Sequence, residues 1–549
     1  MNIQSTTKNL KNRIVFSAGL LSYALLLFIR IPLSRFIGDE GIGLFAPAFE
    51  AYFLTTLVTG YGMSRAMAGM IRFRVRRERY RNAKKVFHTA FVMNFLLGLI
   101  LGALFLVCSA WIADVLSLEH LSRVAVLAAA PAVFLAALLG AFRGYFNGHG
   151  RGAFTAYSML VEKIAMLAGA ILCGRAFHSY GEKVAALLQV EAHTYAFSAL
   201  GAMVGVVLSQ AVTLLYLVFL YVVYAGALKG RPGQDGSKRA ETSFEIQRML
   251  LVNLVPLAVV AVVSNLFMLV DQRFLNYCMN VTEQGNTRTA TWGAYYGKFA
   301  PLVGMGAAVS CLFVHGLTNK ICAAYERGEA YDARERMGKA MRAASMAAFP
   351  TAVYLAVLAR PFSSLCYGRA VSQARISALA GWLQKGTALV VLFTFCFLFG
   401  QLMYKLRMIF ELLLVTVVSF AVHLAGGYFM TQRGHMGVEG LLCALLLFFG
   451  IYLAGAFYLL NKKLKYRPDW TMLVFPLAAA AVSGLVVYLL NRLLYQAVGA
   501  VITILIAVPV GLFLYILGLM LLRVVGESEL QRIPLGSLFI MIGKNIGIL

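Results

Sequence analysis

Runs of about twenty predominantly apolar residues recur along the chain from residue 14 to residue 522, joined by short polar connections. Each is long enough to cross a hydrocarbon core of roughly 30 Å as a helix. The windows fall near 14–36, 43–71, 87–113, 124–142, 153–174, 194–226, 249–275, 289–318, 343–367, 381–403, 408–431, 438–461, 470–491 and 498–522. They predict an all-α polytopic membrane protein of about fourteen transmembrane helices. Charged residues make up 13% of the chain, about half of the roughly 25% of a soluble protein. A span and its connection then use about 39 residues, so no room remains for a large soluble domain. A membrane-tethered enzyme is excluded.

The net charge of +26 has meaning only once the charges are placed. With the N-terminus inside, the inner segments carry Lys8, Lys11 and Arg13, the dense run from Arg72 to Lys85, Arg143 and Arg151, and further clusters through 229–248, 320–342, 405–407 and 462–467, with Arg523, Arg532 and Lys544 last. The outer loops hold only Arg123, Arg175, Lys183, Arg288, Arg369, Arg375, Arg433 and Arg492. This bias never inverts, as it would after a missed or surplus span, so both termini are expected in the cytoplasm and nucleic acid is not an expected partner. Arg30 and Arg35 interrupt the first apolar run and no small-residue cleavage site follows, so the run reads as a retained span rather than a signal peptide.

The richest inner loops, "RFRVRRERYRNAKK" and "NKICAAYERGEAYDARERMGKAMR", lie six spans apart. That spacing suggests a duplicated six-helix unit, although long inner loops attract basic residues in any case. The expected organisation is an N-lobe at 1–228, a cytoplasmic linker at 229–248, a C-lobe at 249–465, and spans 13 and 14 with a cytoplasmic tail at 466–549.

A charge at the bilayer centre costs roughly 2.5–3.5 kcal/mol even on the lenient insertion scale, which makes deep charges functional candidates. Arg30 lies well inside span 1, and Pro32 frees the carbonyl of Phe28 beside it. Such a site needs water or a polar partner, which means either an internal cavity or an ion pair with Glu50. Arg35 is nearer the outer end and can snorkel to the interface. Arg65 sits among small residues in "GYGMSRAMAGM", about four helical turns from Glu50. Lys298 in "WGAYYGKFAPLVG" has Pro301 and flanking glycines, the pattern of a bent helix beside a polar space. Asp271, near the outer end of span 7, reads as locally paired, with ion coupling as the alternative that makes it a candidate, and Glu162 with Lys163 reads as structural. If Arg30, Arg65 and Lys298 share one cavity with Glu50 as the only nearby acid, the site is net cationic and suits a phosphate.

No catalytic constellation competes with this. HExxH, a P-loop and GxSxG are absent, the eight cysteines are dispersed as expected of free thiols, and no cofactor is expected. The pairs Gly98/Gly102 and Gly201/Gly205 read as helix packing. Without an ATP site, transport must draw on a gradient or on the membrane potential. Moving two negative charges outward at roughly −100 mV releases on the order of 4–5 kcal/mol.

The segments "FIRIPLSRFIGDEGIGLF", "RGYFNGHGRGAFTAYSMLVEKI", "YYGKFAPLVGMGAAVS" and "RGEAYDARERMGKAM" resemble the bacterial oligosaccharidyl-lipid flippases of the multidrug/oligosaccharidyl-lipid/polysaccharide exporter (MOP) superfamily, in the branch of stage V sporulation protein B and the MurJ-like lipid II flippases. The resemblance implies two six-helix lobes around a central cavity, two further C-terminal helices, and a bacterial plasma membrane location. It also implies alternating access for a polyprenyl-pyrophosphate-linked glycan, with membrane lipid and a glycan polymerase as further partners. Cationic cavity positions of that family match Arg30, Arg65 and position 298, where Lys298 stands for a frequent Arg. Ile31 stands where an acid commonly follows in lipid II flippases, which leaves other polyprenyl-linked glycans open. The rival reading is a cation-coupled multidrug antiporter on the same fold, which calls for acids in the middle of spans 1, 7 or 8. A third is a membrane scaffold for a glycan polymerase.

Overall fold

The computed structural model describes residues 3–228, 239–282, 287–368, 371–531 and 536–545. Positions 229–238 of the expected linker, Arg369, Arg532 and the side chains of Lys8, Lys11 and Arg13 lie outside the described part. All regular structure among the described residues is helical. Twelve helical stretches are long and apolar enough to span a membrane: α1 (Ala18–Val75), α2 (Tyr80–Val107), α3 (His120–Gly148), α4 (Gly152–Leu188), α5 (Ala192–Tyr224), α6 (Ser243–Val281), α7 (Arg288–Val314), α8 (Ala330–Val357), α9 (Ala388–Lys405), α10 (Ile409–Arg433), α11 (Gly437–Leu464) and α12 (Thr471–Leu521).

Twelve candidate spans thus stand where fourteen were expected, because two pairs of apolar windows fall within single stretches. The windows at 14–36 and 43–71 share α1, and those at 470–491 and 498–522 share α12. Between the members of each pair the helix breaks at one glycine, Gly38 (φ 74, ψ 175) in α1 and Gly499 (φ 78, ψ 177) in α12. Only a residue without a Cβ adopts that backbone conformation readily. The chain also reverses there. Arg30 and Glu50 would stand about 30 Å apart along a continuous helix, yet their side chains meet at 3.0 Å. In α12 a Cβ on Gly511 would lie 2.4 Å from Val487 Cγ2, across the break at Gly499.

The chain forms two compact units, Met1–Lys298 with Leu412–Ala444, and Phe299–Glu411 with Leu445–Leu549. In the first, helices close on one another through small residues, as the glycine pairs predicted. A Cβ on Gly98 would lie 2.6 Å from Ala137 Cβ, one on Gly201 2.4 Å from the carbonyl oxygen of Cys173, and one on Gly205 2.2 Å from the carbonyl carbon of Gly169. Phe87, Phe142, Tyr145 and Tyr221 fill the space between α2, α3 and α5 with tilted and edge-on rings. Glu162 is buried and accepts from Arg143 Nη2 at 2.6 Å and Lys163 Nζ at 2.5 Å.

In the second unit α8 is fixed to α12 by polar contacts that no lipid could supply. Tyr354 Oη donates to Ser483 Oγ at 2.9 Å, Asn491 Nδ2 to the carbonyl of Val357 at 3.0 Å, and Tyr515 Oη to that of Met346 at 3.1 Å. All eight cysteines are free thiols.

Candidate functional site

The charged side chains that the sequence singled out lie in the first unit, and three of them, Arg30, Glu50 and Lys298, are buried on the facing surfaces of α1 and α7. Arg30 and Glu50 occupy the two arms of α1 and meet because of the reversal at Gly38. Arg30 Nη2 donates to Glu50 Oε1 at 3.0 Å, and Tyr296 Oη, from α7, donates to the same oxygen at 2.5 Å. The guanidinium carbon lies 3.8 Å from the centroid of the Tyr296 ring and 5.7 Å from that of Phe49, so ring faces offset part of the loss of hydration. Tyr296 stacks in turn on Trp292 at 6.1 Å, and both rings are fully buried. Arg30 Nε is buried without a hydrogen-bond partner.

Lys298 forms the second pair. Pro301 has no N–H to give to the carbonyl of Gly297, and the helix widens to a π turn over Tyr295–Phe299. Lys298 Nζ on that turn lies 2.6 Å from Asp39 Oδ1, with both side chains buried. Asp39 follows the hinge residue Gly38 directly. The approach of α7 to α1 rests on three glycines: a Cβ would lie 1.7 Å from the Asp39 carbonyl oxygen at Gly293, 2.1 Å from that of Thr289 at Gly43, and 2.9 Å from Ile42 Cγ2 at Gly297. Gly293→Val is therefore expected to force the helices apart, destabilising the protein by about 1–3 kcal/mol and exposing Lys298 to a water-soluble amine reagent. A wild-type melting temperature with Lys298 still protected would contradict that contact.

The remaining expected residues stand elsewhere. Arg65 and Arg35 are exposed. Arg65 Nη1 donates to Tyr61 Oη at 2.5 Å, one turn back on the π turn Leu57–Gly62. Asp271 is fully buried on α6 and accepts a bond from, or donates one to, His423 Nε2 of α10 at 2.9 Å. Phe267 and Phe420 cover the imidazole, each ring centroid 6.2 Å away.

Glu50 is not the sole acid near the cations, as had been expected. Asp39 matches Lys298 as Glu50 matches Arg30, so these two cations are charge-balanced. Asp39, Tyr296 and His423 escaped the sequence reading. Asp39 fell in what read as an outer loop, and the signal that could have found it is the Gly293-x-x-x-Gly297 spacing that brings α7 against that loop.

Three comparisons bear on this arrangement. Stage V sporulation protein B of Bacillus subtilis (strain 168) is 27% identical over 218 residues, 40% of this chain and 39% of that protein, so the match spans well under half of that relative's length. Among solved structures, the lipid II flippase MurJ in an inward closed conformation superposes with a TM-score of 0.65 at 13% identity, covering 92% of this chain and 98% of the other. An inward-facing multidrug resistance MATE family transporter of the MOP superfamily gives 0.61 at 17% identity, covering 81% and 95%. At such identities the likeness is one of fold. The family model for polysaccharide biosynthesis proteins matches residues 10–305, which takes in both arms of α1, the reversal at Gly38 and the π turn that carries Lys298. The chain is a multi-pass membrane protein with the fold of MOP-superfamily transporters, and it belongs to the polysaccharide biosynthesis protein family.

Proposed function

We propose that the chain is a flippase that moves a polyprenyl-pyrophosphate-linked oligosaccharide, a peptidoglycan precursor or another surface glycan unit, from the inner to the outer leaflet of the bacterial plasma membrane by alternating access. The observation that carries this reading is the buried double ion pair Arg30–Glu50 and Lys298–Asp39 on α1 and α7. A stable core gains little from such pairs, since apolar residues of equal volume serve as well or better. Two cations, each held by one carboxylate, are instead groups that a pyrophosphate can take over, because phosphate oxygens replace carboxylate oxygens in the same charge-assisted bonds. In this reading Glu50 and Asp39 are the counterions that Arg30 and Lys298 keep while no substrate is bound. Transfer of a fluorescent lipid-linked oligosaccharide across proteoliposome membranes tests the proposal directly.

Each arm of α1 and of α12 crosses the bilayer separately in this reading, which restores fourteen crossings. A single straight helix of 58 residues would run to almost three times the hydrocarbon thickness. Counted by crossings, the repeat has six-helix boundaries at 1–228 and 249–465, with 466–549 beyond them, which differ from the two compact units, and the basic loops and both termini face the cytoplasm in this reading. A glycan polymerase is the natural acceptor of the product.

One observation favours cation coupling. Asp271 and His423 form a buried acid–imidazole pair on α6 and α10, a kind of group that marks ion and proton pathways in membranes. Asp271→Asn is expected to remove acceleration of transport by an imposed pH gradient while leaving the rate driven by an electrical potential within about twofold. Equal pH-gradient acceleration in both proteins would exclude this pair from coupling. Ethidium extrusion by the same proteoliposomes, with no movement of lipid-linked glycan, would favour the multidrug antiporter instead.

A further inference from the structure

The first unit contains a cavity of about 710 Å³ that the ion pairs do not use. It lies where the basic end of α1, the start of α2 and the start of α6 come together. Four arginines line it, Arg74, Arg79, Arg239 and Arg248, against two acids, Glu241 and Glu245.

Both acids are already engaged by the protein. Buried Arg74 donates from Nε to Glu241 Oε1 and Oε2 at 3.2 and 3.0 Å, and from Nη2 to Oε2 as well. Glu245 closes a capping box at the start of α6, accepting from the Thr242 amide at 2.8 Å and from Arg239 Nη2 at 3.3 Å. Asn82 holds the same segment from α2, through the Arg239 carbonyl at 2.9 Å and the Glu241 amide at 3.3 Å. The wall is therefore built, and Arg79 and Arg248 leave its rim with an excess of positive charge.

Another part of the lining is apolar. Phe73, Met249 and Val252 contribute it, and Val252 is 67% exposed, continuous along α6 with exposed Phe244, Leu251 and Val255. Such a face suits hydrocarbon rather than water. Cationic groups beside an apolar helix face complement a phosphate headgroup that carries a long chain, and basic pockets at helix ends recognise lipids by that chemistry.

We propose that this cavity is a second anion site that binds a phosphate-bearing headgroup, with Arg79 and Arg248 on the phosphate and Phe73, Met249 and Val252 along the attached chain. The site is separate from Arg30 and Lys298, and the proposal stands whether or not the transported cargo is a glycan.

Binding to the full chain in detergent, followed by native mass spectrometry, tests it with phosphatidylglycerol, a polyprenyl monophosphate and inorganic pyrophosphate as probes and phosphatidylcholine as the zwitterionic control. At least one anionic probe is expected to bind, and Arg79→Gln with Arg248→Gln to weaken it by about tenfold, with the melting temperature kept because the Arg74–Glu241 anchor is untouched. Preference for phosphatidylglycerol would mark a resident phospholipid and preference for the polyprenyl phosphate a cargo-type lipid, whereas binding of pyrophosphate alone would overturn the assignment of Phe73, Met249 and Val252 to an attached chain. If the double variant fails to fold, Arg248→Gln alone, on an exposed position of α6, is expected to weaken binding by about threefold. Equal binding of phosphatidylcholine, or affinity unchanged in these variants, would overturn the proposal.

Discussion

Glu50→Ala is expected to destabilise the protein by about 3–5 kcal/mol, the cost of leaving a buried charge without its partner. The loss falls on Arg30, whose Nη2 would have no acceptor and whose Nε already has none, and on Tyr296, whose hydroxyl donates to the same carboxylate oxygen. The double replacement Arg30→Met with Glu50→Leu removes both charges and fills a similar volume, so it is expected to recover most of that stability. Thermal unfolding of the purified protein in one fixed detergent compares the three. If Glu50→Ala melted like wild type, the pair would not be desolvated as the structure has it. If the double variant were as unstable as Glu50→Ala, packing rather than charge would be the cause. The double variant should nonetheless transport at least about tenfold more slowly than wild type, which separates the stability of this pair from its use.

The amino-acid order conveyed some of this architecture well and some not at all, for identifiable physical reasons. Hydrophobic length located each of the twelve candidate spans among the described residues, because the bilayer imposes one scale on all of them. It could not distinguish a loop from a one-residue hinge. The stretch around Gly38 read as a short connection between two spans, whereas the helix stops and restarts there within one residue. The irregular turn at Lys298 was legible because proline and glycine act locally on the backbone. Arg30 stood out because a guanidinium so far inside an apolar run is costly.

The partners were hidden for the opposite reason. Tyr296 lies 246 positions from Glu50 and His423 lies 152 positions from Asp271, and no local periodicity encodes contacts over such separations. Asp39 was missed for a further reason: an acid in an apparent outer loop is ordinary, and only the glycine contacts between α1 and α7 make it a buried counterion. Its presence replaces the expected standing positive field with two charge-balanced pairs, which the proposed function treats as exchangeable.

That exchange predicts which substitutions abolish transport. A charge-assisted hydrogen bond contributes about 1.5–3 kcal/mol, so removing one cation that grips pyrophosphate should slow translocation by roughly ten- to a hundredfold. Lys298→Arg keeps the charge and adds a planar fork suited to phosphate, and should retain at least wild-type activity. The most direct measurement is the rate at which a fluorescent polyprenyl-pyrophosphate oligosaccharide crosses proteoliposome membranes under an imposed potential, for wild type, Arg30→Ala, Lys298→Ala and Lys298→Arg at equal reconstituted protein. Rapid transfer is expected of wild type and Lys298→Arg and a loss of about tenfold or more of each alanine variant; equal rates in all four proteins would contradict a role for Arg30 and Lys298 in gripping the pyrophosphate.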